Sequence, residues 1–341
     1  MVELISQMEA WVKEGKPFAL ATVIKTWGSS PRPIGSPMII SQNLEMAGSV
    51  SGGCVEGDVV KASVSILENG GGKTLTYGVT DEDAWTVGLS CGGKIDVYLE
   101  KFLAFSKEEK MIWERLLGCL KGNLPCIFIT QIKDGENAHV LVEPSGNTLG
   151  KVASPALIEE AQRAYRERKH QIIELEGEIY FLQVFPHKSR MMIIGAAHIT
   201  VDLVTLAKMY DFETIVIDPR GIFSNKTQFN TPPDKIYEKY PAEVLPDYEL
   251  DPYTYAVVLS HDPKIDDNAL HILLRSKVGY IGALGSKRTH AKRVDRLTKA
   301  GFSEEEIGRI HAPIGVDIHA KTPREIALSI MGEIIWEKNY Y

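Results

Sequence analysis

Leu4, Ile5, Met8, Trp11 and Val12 recur at helical spacing before a Gly15–Pro17 break, which predicts an amphipathic helix at the start of the chain. FALATVIK (18–25) is rich in β formers and predicts a strand, followed by a long loop, TWGSSPRPIGS. PMIIS (37–41) and LEMAGSV (44–50) predict two short strands. The glycine-rich turn SGGCVEGD then leads into a helix, VVKASVSILEN, which the glycines after Asn69 end. KTLTYGV and KIDVYLE complete an α+β core over about residues 1–105.

Residues 106–187 mix both periods. A helix (SKEEKMIWERLLGCLKG) opens on Ser106 as N-cap with Glu109 three residues on, a capping box. PCIFITQI and NAHVLVEP predict a strand pair, SPALIEEAQRAYRERK a helix, and IIELEGEIYFLQVF further strand. This stretch reads as a connecting segment of the first half, which makes 1–187 the first domain. From residue 188 the pattern changes. MMIIGAAHITVDLVTLAKMYDFETIVIDPR is strand, tight turn, helix, strand, and YAVVLSHD (255–262) and GYIGALGS (279–286) are near-continuous apolar strands between helices. A parallel sheet buried on both faces requires such strands. The predicted class is therefore α/β: an N-terminal α+β domain followed by a C-terminal, doubly wound, Rossmann-like parallel sheet over 188–341.

Length agrees with two domains: 341 residues, of which 44% are hydrophobic, exclude a largely disordered chain and allow a core without disulfide or metal staples. A net charge of −7 argues against a nucleic-acid binder. No apolar run approaches the roughly 18 residues of a membrane span. The first residues carry acids where a secretory leader would carry bases, which points to a cytoplasmic protein with its four cysteines reduced.

Candidate chemistry in the second half lies at the carboxyl ends of strands. Gly195-Ala196-Ala197-His198 stands where a dinucleotide fold carries its glycine fingerprint, and Asp218 lies 23 residues on, at the place of a ribose-hydroxyl acceptor. Only the first glycine is present, so a scaffold that binds no dinucleotide stands beside a nucleotide site. His198, His261 within Ser260-His261-Asp262, and Ser286, Lys287 and Arg288 after Gly285 collect at that edge. Ser286–Thr289 opens a helix, whose free amides favour an anion. The basic run KRTHAKRVDR suggests phosphate, although a solvated helix face suits Lys292, Arg293 and Arg296 better than Lys287 and Arg288. The alternative function that this half offers is an NAD(P)-dependent oxidoreductase with His198 or His261 as acid/base, which Asp218 favours and Ala197 opposes.

The first half offers thiols. Cys119 and Cys126 sit in apolar surroundings and read as core packing. Cys54 follows Ser51-Gly52-Gly53 at a strand-to-helix transition, where backbone amides can hold an anion, and Cys91 precedes Gly92 and Gly93, which leave room for close ligand approach. Soft-metal ligand, nucleophile, redox pair and sulfur carrier all remain open. Two thiols without C-x-x-C spacing do not make a zinc site. Tight-turn glycines with incidental cysteines are the plain alternative.

ATVIKTWGSSPRPIGSPMII, GSVSGGCVEGDVV and GLSCGGKIDVYLE resemble the N-terminal domain of the xanthine dehydrogenase accessory protein (XdhC/CoxI) family. IIGAAHIT, YIGALGSKRT and HAPIGVDIHAKTPREIALSIMGEI resemble that family's C-terminal Rossmann domain. The resemblance implies a molybdenum-cofactor (molybdopterin) chaperone that works with a cysteine desulfurase and delivers sulfurated cofactor to a xanthine dehydrogenase-type molybdenum hydroxylase. It makes Cys54 and Cys91 candidate molybdenum ligands. Ser51, Gly52, Gly53, Glu56, Gly92 and Gly93 become candidate contacts to pterin or phosphate, while Gly195, His198, Asp218, Ser286, Lys287 and Arg288 stay the second half's candidate cofactor contacts on the residue reading above. Two departures stand out: Ala197 replaces the second glycine, and His319 stands where the family's PIG-x-D-I is followed by glycine. A purely interacting assembly factor is a third reading, and a homodimer the default assembly.

Overall fold

Helix α1 (Ile5–Lys13) buries Ile5, Met8 and Trp11, the face its spacing predicts, and leads into β1 (Phe18–Trp27), which is buried through Ile24. A strand buried without alternation must be covered on both faces. Ala19, Ala21 and Val23 pack under helix α2 (Glu56–Asn69), whereas Phe18 and Leu20 join Met8, Trp11, Ile112, Trp113 and Phe128 in a second core. With β2 (Pro37–Ser41), β3 (Met46–Gly48), β4 (Gly72–Tyr77) and β5 (Lys94–Lys101), β1 forms an antiparallel sheet in the order β3-β2-β1-β5-β4. The computed structural model describes residues 1–78, 93–102, 107–136, 138–150, 154–221 and 229–340. Cys91, Gly92 and the cap expected at Ser106 lie outside them.

Residues that read as a connecting segment build a second sheet of equal size. Helix α3 (Lys107–Lys121) precedes β6 (Cys126–Gln131), β7 (His139–Val142) and β8 (Thr148–Leu149). Helix α4 (Pro155–Glu167), β9 (Gln171–Leu175) and β10 (Glu178–Phe185) follow, and the antiparallel order is β8-β7-β6-β10-β9. IIELEGEIYFLQVF splits into β9 and β10 because Glu176 and Gly177, at φ 55 and 80, make the two-residue turn of a hairpin. One sheet face shares the core of α1, α3 and β1, and the other is covered by α4. Cys119 and Cys126 are buried there, as their surroundings predict; burial and the neighbouring Cys119 push the Cys126 thiol up. The LEMAGSV strand is shorter than expected, since Leu44 turns at φ 62.

The chain divides into two compact units, Met1–His187 and Lys188–Tyr341. The second comprises β11 (Arg190–Ile194), α5 (His198–Met209), β12 (Glu213–Ile217), β13 (Lys235–Tyr237), α6 (Pro241–Val244), β14 (Thr254–Val258), α7 (Pro263–Leu273), β15 (Tyr280–Ala283), α8 (Lys287–Lys299), α9 (Glu304–Gly308), β16 (Ile310–His311) and α10 (Pro323–Tyr340). All six strands are parallel in the order β13-β12-β11-β14-β15-β16. This is the doubly wound Rossmann order that the apolar strands predict, with its switch point between β11 and β14. Helices α5 and α10 cover one face and α6 to α9 the other. Among the described residues no helix is long and apolar enough to cross a membrane.

Candidate functional site

In the first unit the thiol loop is tied by one carboxylate. Helix α2 begins at Glu56, three residues earlier than its apolar pattern suggests, and Cys54 stands exposed two residues before it. Glu56 Oε1 accepts from the Ser49 hydroxyl at 2.6 Å, the Val50 amide at 3.1 Å and the Ser51 amide at 2.9 Å. Its Oε2 accepts from the Ser51 hydroxyl and from the Gly53 amide at 2.9 Å. The Gly52 and Val55 amides go to the Ser49 and Ser51 hydroxyls. Burial alone would raise the Glu56 carboxyl, but the bonds from Ser49 and Ser51 hold it at about 2.

This corrects the expected anion cradle: the amides of Ser51 and Gly53 already bind an anion, and it is the protein's own. Glu56, expected as a ligand contact, has both carboxylate oxygens engaged in folding its own loop. What the loop presents outward is the Cys54 thiol, beside a Gly53 that adopts φ +118 with nothing within 4 Å of the position a Cβ would take. Glu56→Ala is expected to speed hydrogen exchange of the Val50, Ser51 and Gly53 amides by about thirtyfold, equivalent to roughly 2 kcal/mol of charge-assisted bonding. Unchanged exchange would remove Glu56 as the organiser. The parent loop keeps this support at neutral pH and loses it only as pH falls from the ordinary carboxylate range toward about 2.

Gly93 also serves packing where ligand approach was expected. A Cβ there would stand 2.2 Å from the Ser29 carbonyl oxygen. The loop after β1 thus lies against both glycines, because its Pro31 is 3.6 Å from the Cβ position of Gly52.

In the second unit the damaged fingerprint is internally satisfied. Gly195 turns at φ +105 against the Ser260 backbone. The Ala196 amide donates to Asp218 Oδ2 at 2.6 Å and the Ala197 amide to Thr200 Oγ1 at 3.1 Å. Ala197 has φ −117, an extended conformation that needs no glycine. Arg220 clasps Asp218 with Nη2 at 2.7 Å, Nε at 3.0 Å and its own amide at 2.9 Å. Burial would raise the Asp218 carboxyl; Arg220 and the Ala196 amide hold it below the usual range. Asp218, expected as a ribose acceptor, is a structural ion-pair partner with both oxygens engaged.

His198 opens α5 and His261, at φ 60, precedes the α7 cap; both are exposed. Ser286 caps α8 through the Thr289 amide at 3.2 Å, with Lys287 and Arg288 exposed in its first turn. Arg293 departs from the solvated-face reading: it is 1% exposed. Arg296 is bidentate to Asp267 at 2.6 and 2.9 Å. His319, where the family places glycine, adopts φ 57, the conformation that glycine takes freely. Sequence reasoning missed Arg220 and Asp266, and it placed Arg293 on a solvated face. Only Arg220 had a signal, its place two residues after the acid it holds.

Comparison with known proteins covers both units. A profile described as "XdhC and CoxI family" matches residues 11–78, and one described as "XdhC Rossmann domain" matches 191–334. The chain is 26% identical to a Bacillus subtilis protein described as a probable xanthine dehydrogenase subunit, over 97% of this chain and 96% of that protein. It is 24% identical to the Escherichia coli "Molybdenum cofactor insertion chaperone PaoD", over 94% and 83%. A crystal structure from Bacillus halodurans, described as a xanthine dehydrogenase, superposes with a TM-score of 0.76 at 26% identity, over 98% of this chain and 96% of that one. With the thiol loop in an N-terminal unit of one signature and a Rossmann unit of the other, the chain belongs to the XdhC/CoxI family.

Proposed function

We propose that this protein is a molybdenum-cofactor chaperone serving a xanthine dehydrogenase-type molybdoenzyme. The observation that carries this is Cys54, an exposed thiol on a loop already folded by Glu56. The names of the two relatives support the cargo and the client. A thiolate is a soft ligand suited to molybdenum, and one protein ligand beside the cofactor's own dithiolene allows release as well as capture. A closed cage would not. Cys91 is the second candidate ligand. Sulfuration of the cofactor while held here, by a cysteine desulfurase, and a homodimeric assembly complete the proposal. The Asp218–Arg220 clasp argues against nicotinamide chemistry in the second unit.

The test loads the full chain with molybdenum cofactor and measures the molybdenum retained after gel filtration. Cys54→Ser is expected to weaken retention at least about tenfold, a loss typical even of residues that merely support a metal ligand. If Cys54→Ser and Cys91→Ser both retain cofactor as the parent does, the thiol site is wrong.

A further inference from the structure

The loop after β1 is tied down by its own bonds: the Ser30 hydroxyl donates to the Arg32 carbonyl and the Gly35 amide to the Val23 carbonyl, each at 2.7 Å. It meets the thiol loop at two points. Pro31 packs at Gly52, two residues before Cys54, and Arg32 Nε donates to the Ser49 carbonyl at 3.2 Å. The Ser49 hydroxyl in turn donates to Glu56 and accepts from the Gly52 amide, so the guanidinium stands on the frame that presents Cys54. Arg32 Nη2 donates to Glu3 at 2.8 Å, but Glu3 is 54% and Arg32 32% exposed, so water competes with this pair. Nη1 carries two further N–H groups, which no protein partner takes among the described residues. The Ser51 and Gly53 amides are spent on Glu56, so an anion brought to this loop meets a fixed negative charge and needs a cation beside it.

We propose that Arg32 binds the phosphate ester of the molybdenum cofactor while Cys54 takes its metal. Such a role for Arg32 rests on the chaperone reading above and adds to it the recognition of the cargo's phosphate. The donors present fit that cargo: a soft thiol for the metal and a guanidinium for a phosphate monoester, on two loops in contact. A guanidinium offers a phosphate two parallel N–H groups, which an ammonium does not. Nη1 supplies such a fork together with Nη2 once Glu3 yields, and Ser49 keeps its bond to Nε. A dianionic ester displaces the exposed Glu3 carboxylate by its greater charge.

The test loads the full chain with molybdenum cofactor, either intact or with its phosphate ester removed by a phosphatase, and measures the molybdenum retained against cofactor concentration. Arg32→Gln is expected to weaken retention of the intact cofactor about tenfold to a hundredfold, the scale of a hydrogen bond to a charged group. Retention of the dephosphorylated form is expected to stay within about twofold of the parent, because the two changes remove the same contact. Glu3→Gln alters an exposed side chain outside the thiol loop and is expected to tighten the intact cofactor about two- to fivefold and the dephosphorylated form not at all. It carries the test if Arg32→Gln does not fold, and no tightening then overturns the role of Arg32. Equal losses of the two forms in Arg32→Gln, or no loss of the intact one, also overturn it. A parent that retains both forms equally, with Cys54→Ser losing both, removes Arg32 and leaves the thiol site standing. A parent that retains neither form ends the chaperone reading and the role of Arg32 with it.

Discussion

Replacing His139 with leucine is expected to cost the first unit about 3–5 kcal/mol, the scale of removing one partner from a buried ion pair. His139 stands on β7 between the two sheets, in a cavity lined by Leu20, Phe102, Ile112, Trp113 and Phe128. Its Nε2 meets Glu100 and its Nδ1 meets Glu109, each at 2.9 Å, and its ring stacks on Phe128 at 5.1 Å. Only a protonated imidazole donates from both nitrogens at once. Burial alone would lower its pKa, but the charge of Glu100 and the bonds to both carboxylates raise it to about 10. Leucine would fill the space and leave two carboxylates facing each other.

The sign of the pH dependence follows. The folded-state pKa lies above the unfolded value near 6.5, so this stabilisation is fully present below about pH 6.5 and is lost as pH rises toward 10. Hydrogen exchange of the β6 and β7 amides, read across that window, is expected to show opening energies falling with pH in the parent. In His139→Leu they should be low and nearly flat. Parallel profiles in the two proteins would exclude the imidazolium.

Gly195→Ala is expected to destabilise the second unit by about 3 kcal/mol or more. Two costs combine there. The backbone is held at φ +105, which strains any residue with a Cβ by about 1–2 kcal/mol. That Cβ would also lie 2.6 Å from the Ser260 Cα and nitrogen, so β14's end must move, at a further cost of about 1–3 kcal/mol. Gly301→Ala separates the two, because Gly301 has φ +89 with nothing within 4 Å of the Cβ position and incurs the strain alone. Denaturant unfolding of both variants measures the difference. Equal losses would show that close approach to Ser260 does not matter. The comparison bears on function too: Gly195 is kept for packing strand against turn, so its presence is no sign of a pyrophosphate.

Apolar runs and their spacing determined much of this protein without the structure. Short near-continuous runs such as MMII and YAVVL can be satisfied only in a sheet covered on both sides, and the alternation with amphipathic helices makes that sheet parallel. Ser286, Gly195 and Cys54 were likewise legible as end-of-strand residues, because turns and caps are local and their residue types announce them. Even the burial of Cys119 and Cys126 followed from neighbours in the chain. Tertiary structure alone decided what each polar group faces. Asp218 has the sequence position of a ribose acceptor and is clasped by Arg220; Glu56 sits in a motif that reads as ligand contact and folds its own loop. Arg293 falls in a basic run that reads as solvent-facing and is buried beside Asp266, a residue of another helix. His139 meets carboxylates 39 and 30 residues away. Hydrophobic period is a property of one segment, whereas hydrogen-bond partnership and desolvation depend on which distant segments meet.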